Sequence, residues 1–302
     1  MIDEYLRELS GALGAAGVRG SDARRLLQYA RAHLLDSAEE SGEEEALRAF
    51  GPARDLAGLV AGELATALTR LAAMGSFAVL AVGGAVYAAL FLTIPFAGSP
   101  DIFGGSVPGV GALALVGIVF FPQLAFVSGC LALVRVVRLR RHGALPAAEL
   151  RVQRWRTGVA LGSGALTFAS LLAAALDFRR DLASWWVVAT VVTSTALLIV
   201  LAAVALVGIR SLRPRALAEG TAENVFDDLA DVLAHVPGLR RVPLPREPWR
   251  LALAVAVAAA AGVAVAGVVG ADPLDGLVRA IAEGIAVLSC YAALGRRLGL
   301  RR

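Results

Sequence analysis

Lysine is missing altogether, so all 29 basic residues of the 302-residue chain are arginine. Beside the heavy use of Ala, Val, Gly and Leu, this reads as the base composition of a GC-rich bacterial genome. Cysteine is scarce too. Cys130 and Cys290 both sit inside apolar runs, where a thiol behaves as a small hydrophobe, so no structural disulfide is expected. The three histidines, His33, His142 and His235, are scattered and make no zinc-ligand spacing. No glycine-rich phosphate loop or nucleophile motif occurs either. These absences argue against an enzyme, and no catalytic residue, cofactor site or metal site is expected. The first residues also lack the short cationic stretch and apolar core of a secretory signal, so the first membrane helix is expected to be internal.

Present in excess are apolar residues, at 58% of the chain, and the mean hydropathy is +0.70. No soluble core of this length needs so many, which identifies an integral membrane protein. The formal net charge is +4, unevenly spread. Residues 1–70 hold eight Arg against twelve Asp or Glu, so an acidic head precedes a basic membrane part. A nucleic-acid-binding head would carry the opposite bias.

A hydrocarbon core of about 30 Å needs around 20 apolar residues in a helix. Six segments approach that length: Ala73 to Phe96, Gly109 to Val134, Thr157 to Leu176, Trp185 to Ile209, Leu251 to Gly270 and Leu277 to Gly295. Arginine placement orients them, because cytoplasmic loops retain Arg and translocated loops exclude it. The loop after the second segment holds Arg135, Arg138, Arg140, Arg141, Arg151, Arg154 and Arg156. The loop after the fourth holds Arg210, Arg213, Arg215, Arg240, Arg241, Arg246 and Arg250, and the tail adds Arg296, Arg297, Arg301 and Arg302. Among the opposite loops only 177–184 has any, with Arg179 and Arg180 balanced by Asp177 and Asp181. Both termini are therefore expected in the cytoplasm of a bacterial cell, with the chain in its inner membrane. A five-helix count would translocate the tail. Trp185 and Trp186 would anchor the outer interface, Trp155 and Trp249 the inner one.

Inside the spans, Arg279 and Glu283 stand four apart on one helix face and can pair. They would serve a substrate or proton path, or else Arg279 snorkels to the nearby outer interface and neutralises Glu283. Pro122 should kink the second span. Gly158 with Gly162, and Gly262 with Ala266 and Gly270, have the small-xxx-small spacing of close helix contacts.

The head reads as four amphipathic helices. Ile2, Tyr5, Leu6, Leu9 and Leu13 make the apolar face of the first, and Leu26, Leu27, Ala30 and Leu34 that of the second, with His33 half-buried. Ser21 and Asp22 open the second helix. Ser41 and Glu44 have capping-box spacing for a third, with Ala46, Leu47 and Phe50 inward. Gly51 closes that helix and Pro52 begins a fourth, with Leu56, Leu59, Val60, Leu64 and Leu68 inward, which is expected to run into the first span. Glu39, Glu40, Glu43, Glu44 and Glu45 cluster at the turn into the third helix. They are candidates for docking a basic protein surface through charge complementarity, unless the run is a solvated turn favoured by the helix N-terminus. In the second inner loop, Leu217 to Val236 carries an apolar stripe beside Asp227, Asp228 and Asp231, and would pack on the head, lie on the membrane or bind a partner.

The run from Tyr5 to Ala57, with YLRELSGAL, SGEEEALRAFG and PARDLA, resembles the HAAS domain, a small helical signalling domain of bacterial membrane proteins. Phe50, Gly51, Pro52, Asp55, Leu56 and Ala57 occupy places comparable to its ending, although Pro52 follows the glycine directly and the intervening acidic residue is missing. The resemblance implies partnership with PadR-like winged-helix transcription regulators. The expected molecule is thus all-α: a cytoplasmic helical head at residues 1–70 and a six-helix membrane domain at residues 71–302, regulating a transcription factor by sequestration or release. The alternative is a transporter or transporter subunit with a regulatory head. A homo-oligomer is compatible with either.

Overall fold

The structure is a computed structural model, and it describes residues 1–93, 109–141, 143–180, 182–211, 228, 253, 257, 261, 273–295 and 297–300. Every element among the described residues is helical: α1 (Ile2–Ala15), α2 (Ser21–Ser41), α3 (Glu43–Phe50), α4 (Ala53–Leu92), α5 (Gly109–Arg138), a 3-10 turn (Leu139–Arg141), α6 (Ala147–Asp177), α7 (Ser184–Arg210) and a last helix, Pro273–Leu294.

The faces of α1 to α3 follow their apolar periodicity. Leu9, Leu13, Ala30, Leu34 and Ala46 are buried, with Tyr5, Leu6, Leu26, Leu27, Leu47 and Phe50 packed at their edges. The helix junctions rest on glycine rather than on side-chain caps. Ser41 is the last residue of α2, its hydroxyl donating to the Ser37 carbonyl, and Gly42 at φ +88° makes the break to α3. The capping box expected at Ser41 is therefore absent, because the chain reverses through a left-handed conformation that serine adopts only with strain. Ser21 likewise begins α2 behind Gly20 instead of capping it. Gly51, at φ +74°, ends α3 as expected.

The fourth head helix and the first apolar segment are one element. α4 runs uninterrupted for 40 residues, about 60 Å at the helical rise per residue. Its head face is an alanine row, since Ala53, Ala57 and Ala61 are at most 1% exposed and pack in the head core while Leu59 is 64% exposed. Leu59 thus points outward, contrary to the periodic reading. Alanine at every fourth position lets α1 approach the α4 backbone closely.

Four helices are long and apolar enough to cross a membrane: Ala53–Leu90 within α4, Gly117–Arg138 within α5, and all of α6 and α7. Four stand among the described residues where six were expected. The fifth expected segment, Leu251 to Gly270, lies outside the described residues apart from 253, 257 and 261. The sixth falls in helix Pro273–Leu294, of which the continuous part with described side chains is the shorter apolar helix Gly284–Leu294. On α7, Val188, Val192, Ile199 and Leu206 are exposed, an outward apolar surface that suits hydrocarbon rather than water.

Within the bundle, the close glycine contacts are made at Gly83, Gly117 and Gly164, where an added Cβ would meet Phe168, Ser170 and Leu80 respectively. Among the described residues nothing lies within 4 Å of that position at Gly158 or Gly162, so they seat no described helix. Trp186, expected at an interface, is 3% exposed and donates from Nε1 to the Leu90 carbonyl at 3.0 Å. Trp185 remains exposed.

Candidate partner-binding surface and buried charge cluster

The five glutamates of the head separate by role. Glu43 Oε1 accepts hydrogen bonds from the Ile2 amide at 2.7 Å and contacts the Met1 ammonium at 3.2 Å, fastening the start of α3 to the start of α1. The Ile2 hydrogen bond, with help from the terminal ammonium, holds its carboxyl below the usual glutamate value. Glu45 pairs with Arg48 one helical turn on, at 2.5 Å and in solvent. Glu39, Glu40 and Glu44 are exposed and make no ion pair among the described residues. These three leave negative charge free for a partner.

Beside them lies an aromatic edge. Tyr29 is 71% exposed, its ring 6.0 Å from His33, which in turn meets Phe50 edge-on at 5.7 Å. His33 is exposed rather than half-buried. Phe50 continues inward to Tyr5, whose hydroxyl donates to the Gly51 carbonyl at 3.0 Å.

Between head and bundle, the turn that follows α5 braces the middle of α4. The Thr66 hydroxyl accepts from the Leu145 amide at 2.9 Å and donates to the Gly62 carbonyl at 2.8 Å. The Arg70 guanidinium donates to the Leu139 carbonyl, and Ala65 packs with Leu139, Leu145 and Leu150.

Next to this brace is a charge cluster that sequence reasoning missed. Arg135, Arg156, Glu149 and Asp228 are each at most 5% exposed. Arg135 donates from Nε to Glu149 Oε2 at 2.7 Å and from Nη1 to Asp228 Oδ2 at 2.8 Å. Arg156 Nη1 reaches the same Asp228 oxygen at 2.9 Å, and Arg138 Nη1 reaches Asp228 Oδ1 at 3.1 Å. Arg156 also donates from Nε to the Leu298 carbonyl and from Nη1 to the Leu131 carbonyl. One carboxylate from the segment between α7 and helix Pro273–Leu294 therefore collects three arginines of α5 and α6, and the turn around Leu298 is tied to the same point. Arg135, Arg138 and Arg156 had counted only as loop charges. Asp228, which the sequence places beside the apolar stripe of 217–236, is buried; its neighbours in that segment lie outside the described residues. Arg297 covers the Trp155 ring at 4.4 Å, a cation–π contact on the flank of α6.

Residues 4–58 match the family model described as HAAS. The N-terminal unit is a HAAS domain. No curated protein and no solved structure matches the chain.

The HAAS match ends at residue 58, inside α4, so the domain has no separate last helix: it shares α4 with the first apolar span. The candidate glutamates all lie in the HAAS domain, and the structure divides them into an internal tie (Glu43), a local pair (Glu45) and three charges without an ion pair among the described residues. The other candidate pair, Arg279 and Glu283, sits four residues apart in helix Pro273–Leu294, and both side chains lie outside the described residues.

Proposed function

We propose that the protein is a non-enzymatic, membrane-anchored regulator whose HAAS domain binds and controls a PadR-like winged-helix transcription regulator. The observation carrying this reading is the continuity of α4, which makes the HAAS domain and the first apolar span one rod. A tilt or shift of the span is then carried to the head without a flexible joint. Glu39, Glu40 and Glu44 supply charge complementary to a DNA-binding surface, and Tyr29 supplies the aromatic contact common at interface centres. Regulator held by the head is withdrawn from its operator. In this reading six helices cross the bacterial inner membrane and both termini are cytoplasmic, in line with the arginine asymmetry of the loops.

The test uses the full-length protein in lipid nanodiscs, titrated with a purified PadR-like regulator in the presence and absence of operator DNA. Binding that competes with DNA supports the proposal. No binding at micromolar regulator removes it.

A further inference from the structure

The arginine-rich end of the bundle carries an open groove between α4, α6 and α7, with a volume of about 600 Å³. One wall is the face of α6 through Gly158, Leu161, Gly162 and Ala165, and the facing wall is α7 from Leu198 to Ser211. Thr69 and Ala72 of α4 form its floor. The groove is open because α6 has no side chain where Gly158 and Gly162 face it, and both glycines are exposed along it. An exposed apolar groove between helices long and apolar enough to cross a membrane is suited to an apolar occupant.

Two polar features at one end say what fills it. Arg154 donates to the Ser211 carbonyl through one terminal nitrogen, but its Nε has no partner among the described residues. Thr157, one turn further along the same face of α6, is 4% exposed, and its buried hydroxyl has no partner among the described residues. A guanidinium N–H and a hydroxyl, both without acceptors among the described residues and both on residues that line the apolar groove, fit an anionic oxygen. From Arg154 to Ala165 the groove runs eleven residues, about 16 Å of helix. One leaflet of a bilayer with a hydrocarbon core of about 30 Å has the same depth.

We propose that this groove binds an anionic phospholipid of the surrounding leaflet, the phosphate at Arg154 and Thr157 and one acyl chain along Gly158, Gly162 and Ala165. The open side admits a chain laterally from the bilayer, and the charge at the rim selects the headgroup. The proposal is independent of what the HAAS domain binds. Because α4 supplies the floor, the lipid also touches the rod that enters the head.

The test measures lipid retention by the full-length protein after detergent extraction, using native mass spectrometry with added phosphatidylglycerol or phosphatidylcholine of identical chains. The expected result is at least tenfold stronger retention of phosphatidylglycerol. Gly158→Leu and Gly162→Leu fill the groove where nothing lies within 4 Å, so the bundle accommodates them, and both should abolish the retention. Arg154→Gln should bring phosphatidylglycerol down to the phosphatidylcholine level, and Arg154→Lys should recover part of the preference. Equal retention of the two lipids by the unaltered protein would overturn the proposal. So would unchanged phosphatidylglycerol retention in both leucine variants, or a dimer that the leucine variants dissociate, which would make a second copy the occupant.

Discussion

The Arg156 guanidinium and the Asp228 carboxylate meet at 2.9 Å with both side chains at most 1% exposed. Burying such a pair costs hydration for both ions, and only dense hydrogen bonding offsets it. Asp228 has that density, since Arg135 and Arg138 also donate to it. Removing the carboxylate would leave buried cations facing one another. Asp228→Ala should therefore destabilise the protein by about 3–5 kcal/mol, read as a lowered thermal midpoint in nanodiscs. The exposed control Glu40→Ala should stay within about 0.5 kcal/mol of the unaltered protein.

Glu43 gives the head a pH dependence of definite sign. Its folded-state pKa is lowered from 4.5, chiefly by the Ile2 amide and then by the terminal ammonium. A carboxyl with a depressed folded pKa contributes stability above its unfolded value and loses it as pH falls through the folded one. Amide exchange in the first turn of α1 should therefore accelerate, beyond the intrinsic change, as pH drops below 4.5. In Glu43→Gln that additional acceleration should be missing, and the first turn should already be less protected at neutral pH.

The alanine row of α4 predicts an inversion of the usual expectation for a periodic helix. Ala61→Leu inserts volume where the residue is fully buried against α1, and should destabilise the head by about 1–3 kcal/mol. Leu59→Gln, on the outward face, should change stability by no more than about 0.5 kcal/mol. Chemical denaturation of the full-length protein, followed by exchange in α1, separates the two.

That inversion marks where the sequence stopped being legible. Apolar spacing located α1, α2 and α3 and most of their inward faces, because each buries one stripe of large side chains. In α4 the leucines drew attention while the fourfold alanine spacing, equally visible in the sequence, carried the contact. The glycine pair at Gly158 and Gly162 meets no neighbour among the described residues of the chain, since small residues mark open space as readily as close approach. The charge cluster was illegible for another reason. Its partners lie 14, 72 and 93 residues apart, and arginine next to a span reads first as a solvated topological signal.

Electrostatic docking of the HAAS domain has a kinetic signature. Free charges at an interface rim act chiefly on encounter, so replacing Glu39, Glu40 and Glu44 together with Gln should slow association with a basic regulator by about tenfold at low salt. Dissociation should change little. The difference from the unaltered protein should fade as ionic strength rises, because exposed charges are screened. Stopped-flow association at two salt concentrations reads all three, and an effect confined to dissociation would contradict the charge-steering role.

The brace on α4 can be cut at a single atom. The Thr66 hydroxyl is buried and is the acceptor for the Leu145 amide, while its own proton goes to the Gly62 carbonyl. Thr66→Val keeps the shape of the side chain but leaves the Leu145 N–H without that acceptor in a buried turn, which should cost about 1–3 kcal/mol. The loss should be local. Amides of the turn around Leu145 should gain exchange, while the HAAS core around Leu9 and Leu13 keeps its protection, because α1 meets α4 along Ala53 to Ala61 and not at Thr66. If the brace steadies the rod where it leaves the bundle, the same substitution should broaden the distance distribution between spin labels at two exposed sites, Arg31 in the head and Leu206 on α7, measured by double electron–electron resonance. An unchanged distribution together with the expected loss of stability would assign Thr66 to packing of the turn alone.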